Sequence, residues 1–417
     1  MKLHWSSSIA GGLVLAAVVL FAASGSSPVL AAKMTKPAAP GKPSAADQRG
    51  KGVAPAPAET ATTIDTEAKH AFVIEVETGA VLLDKGADER VAPASMSKVM
   101  TAYVVFGLLK QGRAKLDDEL PVSEHAWRTG GSKMFVPVGG RLKIDDLLRG
   151  MLVQSGNDAC IVLAEGLAGS EDAFVDLMNA KAKEIGLTNS HFADVDGLPN
   201  PDHWMTARDL ATLAIRTQQD FPEYYHYYSE KDYNFNNINQ GNRNPLLYKD
   251  LGADGMKTGH TDESGYSLLG SVHRGNRRVI LVLAGMPTMK SRASEGERVT
   301  EWAFREFNDY QLFSAGDKVD DADVWLGTEP KVPLAVNKDL LVTMPRKSRK
   351  DMKVTVSYNK PIPAPVHKDM EVGKVVVTAP DLSTVEMPLV TAGNVDRMGA
   401  FGRMAMVAAN LIWGNRH

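Results

Sequence analysis

Ala94-Ser95-Met96-Ser97-Lys98-Val99-Met100 sets a serine and a lysine three residues apart at the opening of a helical pattern. From Ser95 to Lys110, apolar or small residues recur at Met96, Val99, Met100, Tyr103, Val104, Gly107 and Leu108, the spacing of one helix face. Residues at i and i+3 share a face, so Lys98 can reach the Ser95 hydroxyl. A lysine held in a dry cleft near other cations loses proton affinity and can act as a base. The start of the helix offers N–H groups and a positive dipole end where an oxyanion would develop. Alone the pair is a weak signal. Ser357-Tyr358-Asn359-Lys360 repeats the spacing, but it lies in a strand pattern and runs into Pro361, so it reads as chance.

Two further triplets follow in order. Ser155-Gly156-Asn157 stands at the head of an apolar helix. Its hydroxyl and amide could relay a proton and hold a substrate amide, or could simply cap the helix. Lys257-Thr258-Gly259 comes just before a strand. Lysine and threonine can hold a carboxylate, and glycine lets a substrate backbone lie against the strand edge. Each triplet is ordinary alone. S-x-x-K, S-D-N and K-T-G together are the pattern of β-lactamases and penicillin-binding proteins, which this order of motifs resembles with S-G-N in second place.

The surrounding pattern is mixed α/β. Ala71–Val76 and Ala80–Asp84 read as a hairpin joined by Glu77-Thr78-Gly79. Leu147–Leu167 and Asp172–Ile185 read as helices, and Thr206 as the N-cap of another. Strands are expected at Tyr266–Val272 and Arg278–Leu283, then a long helix over Ser294–Phe307. This body, 65–316, is expected to hold a mainly antiparallel sheet with a helical insert. Residues 317–391 offer only short strand candidates: Val332–Val336, Leu340–Met344, Lys353–Tyr358, Val372–Val377 and Glu386–Val390. They predict a small all-β sandwich.

Length and composition agree with two or three domains. The chain has 417 residues, 44% apolar and 23% charged, enough for a sizeable core. A net charge of -3 and the lack of a basic stripe with aromatics give no reason to expect a nucleic-acid partner. The single cysteine, Cys160, lies in an apolar run and reads as core. His191 and His203 show no zinc spacing, so no metal is implied.

Both ends carry addressing signals. Lys2 and His4 precede a weakly polar to apolar stretch, Ile9 to Ala23, and Val29-Leu30-Ala31 fits a small-x-small cleavage site. Residues 1–31 read as a secretory signal peptide, with an uncleaved anchor as the rival reading. Residues 32–64 read as a Pro/Ala-rich linker. At the other end, in the segment 392–417, Met398, Phe401, Met404, Ala405, Ala408, Leu411 and Ile412 share one helical face, with Arg397, Arg403 and Asn410 elsewhere. Such a helix can lie in a membrane interface, or can pack on the β-domain.

From about Ala68 to the C-terminus the sequence resembles the low-molecular-mass penicillin-binding proteins of the serine-type D-alanyl-D-alanine carboxypeptidase family. The matching strings are Ala94–Lys98, Gln154–Cys160, Asn242–Leu247 and Asp254–Thr261. The resemblance implies a transpeptidase-like domain followed by a β-sandwich, and no cofactor. It implies that Ser95 attacks the carbonyl between the two terminal D-alanines of a peptidoglycan stem peptide. Lys98 would take its proton, Ser155 would pass one to the leaving D-alanine, and Asn157 would bind the acyl-side amide. Lys257, Thr258 and Gly259 would line the carboxylate site with Arg292 near it. The N–H groups of Ser95 and His260 would form the oxyanion hole. β-Lactams would trap Ser95. The family also implies an exported, periplasmic enzyme peripheral to the membrane through its C-terminal helix. The chain departs from class A β-lactamases in having S-G-N for S-D-N and Asp194-Val195-Asp196-Gly197-Leu198 where a glutamate motif would stand, which argues against fast β-lactam hydrolysis. An endopeptidase acting on crosslinks, or a β-lactam-binding scaffold that does not turn over, are the alternatives.

Overall fold

The computed structural model describes residues 63–413. The signal-peptide segment and the linker up to residue 62 lie outside these residues.

A five-stranded antiparallel sheet organises the larger domain. Its order is Val81–Lys85, His70–Glu75, Arg277–Met286, Gly265–Arg274, Ala253–Thr261. Successive side chains on a strand point to opposite faces. The central strand Arg277–Met286 therefore feeds two cores: Ile280 and Val282 pack with the helical insert, while Val279, Leu281 and Leu283 pack with Val299 and Trp302 of the helix Met289–Glu306. A strand buried on both faces reads as a continuous apolar run, as Val279–Leu283 does within the strand expected at Arg278–Leu283.

The helix Lys98–Lys110 runs through the middle of the first core. Every residue from Lys98 to Leu109 except Gly107 is buried, the mark of a central helix. Around it pack Ile144–Leu152, Asn157–Ala168, Glu171–Glu184 and Ala207–Asp220. Thr206 caps the last of these as expected, its hydroxyl accepting from the Asp209 N–H at 3.0 Å.

Three sequence expectations need correction. The helix expected over Leu147–Leu167 is two helices, broken at Val153–Gly156, because Ser155 has a left-handed backbone (φ 65°) and Gly156 is non-helical. The Lys257 triplet lies inside the strand Ala253–Thr261 rather than before it. The long helix begins at Met289, capped by Thr288 and Ser291, so Arg292 sits in its first turn rather than ahead of it.

The smaller domain is all β. A six-stranded sheet runs in the order Lys353–Tyr358, Glu371–Thr378, Val385–Thr391, Lys331–Val336, Lys318–Trp325, Ile362–Pro363. With the ribbon of Phe307–Phe313 and Leu340–Pro345 it encloses Val324, Leu334, Val342, Met344, Val375 and Leu389. Strands Phe307–Phe313 and Lys318–Trp325 were not expected. In the second, Asp320, Asp321 and Asp323 hide the inward alternation of Ala322 and Val324. Ser357 lies in a strand, so the second S-x-x-K lacks a helix to align it. Arg277 ties the domains together, donating to Glu75 at 2.7 Å and to the Phe307 carbonyl at 2.9 Å.

Candidate active site

Ser95 sits in a single 3-10 turn, Ala94–Ser97, that leads into the helix Lys98–Lys110. Ala94 has a positive φ of 49°, and the Ser97 hydroxyl donates back to its carbonyl at 2.9 Å. Two glycines let neighbouring segments close on this turn. Gly197 has φ 80°, and a Cβ there would lie 2.0 Å from the Ala94 carbonyl oxygen. A Cβ on Gly259 would lie 2.8 Å from the Pro93 carbonyl oxygen. The loop Asp194–Leu198 thus forms one wall and the strand Ala253–Thr261 another.

Lys98 is fully buried and carries three acceptors. Its Nζ donates to Ser95 Oγ at 2.9 Å, to Asn157 Oδ1 at 2.8 Å and to the Asp196 carbonyl oxygen. The lysine is thereby aimed at the serine by two fixed partners on different elements. Asp194 holds the Asp196 loop in shape, accepting from the Gly197 N–H at 2.6 Å and bonding buried His203 at 2.9 Å. Burial pushes the Asp194 carboxyl up, but His203 and the N–H groups of Gly197 and Asp196 hold it below the ordinary range.

Ser155 and Asn157 do not act as caps. The N-cap of Asn157–Ala168 is Gly156, without a side-chain bond. Ser155 instead accepts from Lys257 Nζ at 3.0 Å, and Asn157 Nδ2 donates to the Gly130 carbonyl at 2.9 Å. The left-handed Ser155 backbone costs roughly 1 kcal/mol, and its buried hydroxyl meets Lys257. Asp158, next in line, accepts from the N–H groups of Met134, Phe135 and Val136 at 2.9, 2.9 and 3.1 Å. The loop 130–136 is gripped there, against the start of the helix that carries Asn157.

The third motif supplies charge. Lys257 and Thr258 are buried. Burial, then the nearby cations Lys98, Arg243 and Arg292, push the Lys257 ammonium well below its ordinary range. Arg292 is buried, 5.6 Å over the Tyr266 ring, its Nε without a partner. Arg243 donates to Ser132 Oγ at 2.6 Å. Lys257, Arg243 and Arg292 form no ion pair with a carboxylate among the described residues. Basic side chains gathered without a counter-ion suit an anionic ligand. Sequence reasoning quoted Arg243 within a matching string but gave it no role. Asp158 and the Asp196 carbonyl were also missed; a backbone acceptor leaves no side-chain signal. His260 is exposed, its ring 3.9 Å from that of Tyr266. Cys160 is buried and free, and burial pushes its thiol up, away from thiolate.

A serine bonded to a buried lysine, and a second serine bonded to another beside unpaired basic side chains, are the parts that a serine hydrolase working without histidine needs. The family model for D-alanyl-D-alanine carboxypeptidase matches residues 56–288, and that for the penicillin-binding protein 5 C-terminal domain matches 307–397. The chain is 38% identical to D-alanyl-D-alanine carboxypeptidase DacC of Escherichia coli over 83% of its length and 88% of the relative's. It is similar to the solved structure of penicillin-binding protein 5 from Haemophilus influenzae, with 35% identity and a TM-score of 0.71 over 80% of this chain and 99% of that one. Penicillin-binding protein D2 of Listeria monocytogenes, solved in an ampicillin-bound form, is 29% identical with a TM-score of 0.54 and covers 58% of the chain and 99% of its own. The chain belongs to the serine-type D-alanyl-D-alanine carboxypeptidase family.

Proposed function

We propose that the chain removes the terminal D-alanine from peptidoglycan stem peptides through an ester on Ser95. The observation that carries this is the coordination of Lys98. As a neutral amine it has two N–H groups and one lone pair. Asn157 Oδ1 and the Asp196 carbonyl occupy the N–H groups, which leaves the lone pair for the Ser95 hydroxyl 2.9 Å away. Ser95 Oγ attacks the carbonyl between the D-alanines as its proton passes to Lys98. The peptide bond breaks, and Ser155 hands a proton to the leaving amine. Lys257, Thr258, Arg243 and Arg292 hold the substrate carboxylate, which supplies their missing counter-charge. Asn157 holds the acyl-side amide, and the N–H groups of Ser95 and His260 receive the oxyanion. Water then cleaves the ester. β-Lactams imitate the D-alanyl-D-alanine end and stall at the ester, in keeping with the ampicillin-bound relative.

The test is D-alanine release by the full chain from a peptide ending in L-Lys-D-Ala-D-Ala, beside a crosslinked dimer. Release from the first and not the second is expected. Release from the dimer alone would replace this reading with an endopeptidase.

We further propose that the chain is exported and rests on the outer face of the inner membrane through its last helix. Among the described residues no helix is long and apolar enough to cross a membrane. The helix Ala400–Trp413 carries an apolar face that no other described residue covers: Phe401 is 88% exposed and Leu411 83%. Apolar exposure of this kind supports interfacial docking. Vesicles with anionic lipid should sediment the full chain and not one ending at Arg397. Equal sedimentation of both would refute the anchor.

A further inference from the structure

Besides Ser95, Lys98 Nζ is fixed by Asn157 Oδ1 and by a backbone carbonyl, that of Asp196. A trans peptide unit is planar, so the Asp196 carbonyl and the Gly197 N–H move as one body and point in opposite directions. The carbonyl accepts from Lys98, and the N–H donates to Asp194 Oδ1 at 2.6 Å. The same oxygen accepts from the Asp196 N–H at 3.2 Å. Asp194 Oδ2 bonds His203 Nδ1 at 2.9 Å. A carboxylate only accepts, so the imidazole is the donor. An unbroken line of contacts therefore runs from His203 through Asp194, the 196–197 peptide and Lys98 to Ser95.

The surrounding chain keeps this line in register. The loop closes at its neck, where the backbones of His191 and Trp204 exchange hydrogen bonds at 2.8 and 3.0 Å. Thr101, three residues past Lys98, donates to the Val195 carbonyl at 2.6 Å, so one helix holds two successive carbonyls of the loop. His203 is buried, edge-on to Phe192 with ring centroids 5.4 Å apart. Its Nε2 has no hydrogen-bond partner among the described residues, which leaves Asp194 as the polar contact of the ring. Asp194 is also faced by the Asp196 carboxyl, which accepts the Leu198 N–H at 3.0 Å and lies in the field of Lys98 and Glu171. A carboxylate on the N–H end of an amide draws charge towards the carbonyl oxygen at the other end. The Asp196 carbonyl is then the stronger acceptor, most of all once Lys98 has become an ammonium.

We infer that Asp194 and His203 are positioning residues for acylation: they aim the Asp196 carbonyl at Lys98 and convey negative charge to the base as it takes the serine proton. This rests on the carboxypeptidase reading, in which Lys98 is that base.

The experiment follows acylation of Ser95 by ampicillin on the full chain as a function of pH. It records the rate at saturating β-lactam, the concentration giving half that rate, and the melting temperature. Asp194→Asn keeps an acceptor for the Gly197 N–H and removes the charge. It should slow the saturating rate about tenfold, the gap between a charge-assisted and a neutral hydrogen bond, with half-saturation within about twofold. The acid limb of the profile should move to lower pH by about 0.5, because an anion that favours the protonated base is gone. His203→Ala should slow the rate about fivefold, and His203→Asn, which offers an N–H near the place of Nδ1, should recover it to within about twofold of wild type. A wild-type rate in Asp194→Asn overturns the inference and leaves the carboxypeptidase standing. So does a slowed rate with an unmoved acid limb and no recovery in His203→Asn, the mark of a purely structural role. If Asp194→Asn does not fold, the His203 pair decides, and equal rates for its two members overturn the inference. Wild-type protein that takes no β-lactam onto Ser95 overturns both readings.

Discussion

Ser95→Ala is expected to reduce D-alanine release to background, a loss of about 10⁶-fold in kcat, as when a covalent nucleophile is removed from a serine hydrolase. The substitution deletes one oxygen and little else. Lys98 keeps Asn157 Oδ1 and the Asp196 carbonyl as partners, and the turn keeps the Ser97 bond to Ala94. The fold should therefore persist, with an unchanged melting temperature. Intact-mass measurement after exposure to ampicillin should show one adduct on the wild type and none on the variant. Residual turnover above about 1% would place the nucleophile elsewhere, since hydrogen-bonding and binding groups alone recover far less.

Lys98→Met is the second large effect. Methionine nearly matches the volume of lysine, so the buried site is filled. The Asp196 carbonyl and Asn157 Oδ1 lose a donor, which costs about 1–3 kcal/mol of stability. The variant should fold with a lowered melting temperature. Acylation of Ser95 by a β-lactam should slow by about 10² to 10⁴, the usual worth of a positioned general base. The distinguishing measurement is the acylation rate at saturating β-lactam, which isolates chemistry from binding. If that rate stays within about tenfold of wild type, the base is not Lys98. Attention would then pass to the pair Ser155 and Lys257, which bond at 3.0 Å.

Much of this site was legible because short motifs fix local geometry. Three residues of helical spacing suffice to put Lys98 beside Ser95, and the structure bears that out at 2.9 Å. What stayed hidden has physical causes. The apolar run from Leu147 to Leu167 continues through Met151, Leu152 and Val153, so periodicity carries a helix across a break that a left-handed Ser155 imposes. Serine gives no warning of positive φ as glycine does. Strand Ala253–Thr261 is buried, yet Gly255, Lys257 and Gly259 interrupt its apolar pattern. The start of Met289–Glu306 was marked by Thr288 and Ser291, whose hydroxyl stands where a capping box more often has glutamate or glutamine. The fold class, the two-layer logic of the central strand and the β-sandwich needed only period-2 and helical patterns, and those survive in the sequence.

The Asp158 carboxylate bears on how the site is assembled. Three consecutive N–H groups, of Met134, Phe135 and Val136, end on that one side chain, and the preceding residue, Asn157, accepts from Lys98. Loop and base are thus adjacent links of one helix end, assembled together when the chain folds. Raising ionic strength should slow capture of an anionic substrate by the basic pocket of Lys257, Arg243 and Arg292 while leaving the subsequent bond-making step untouched.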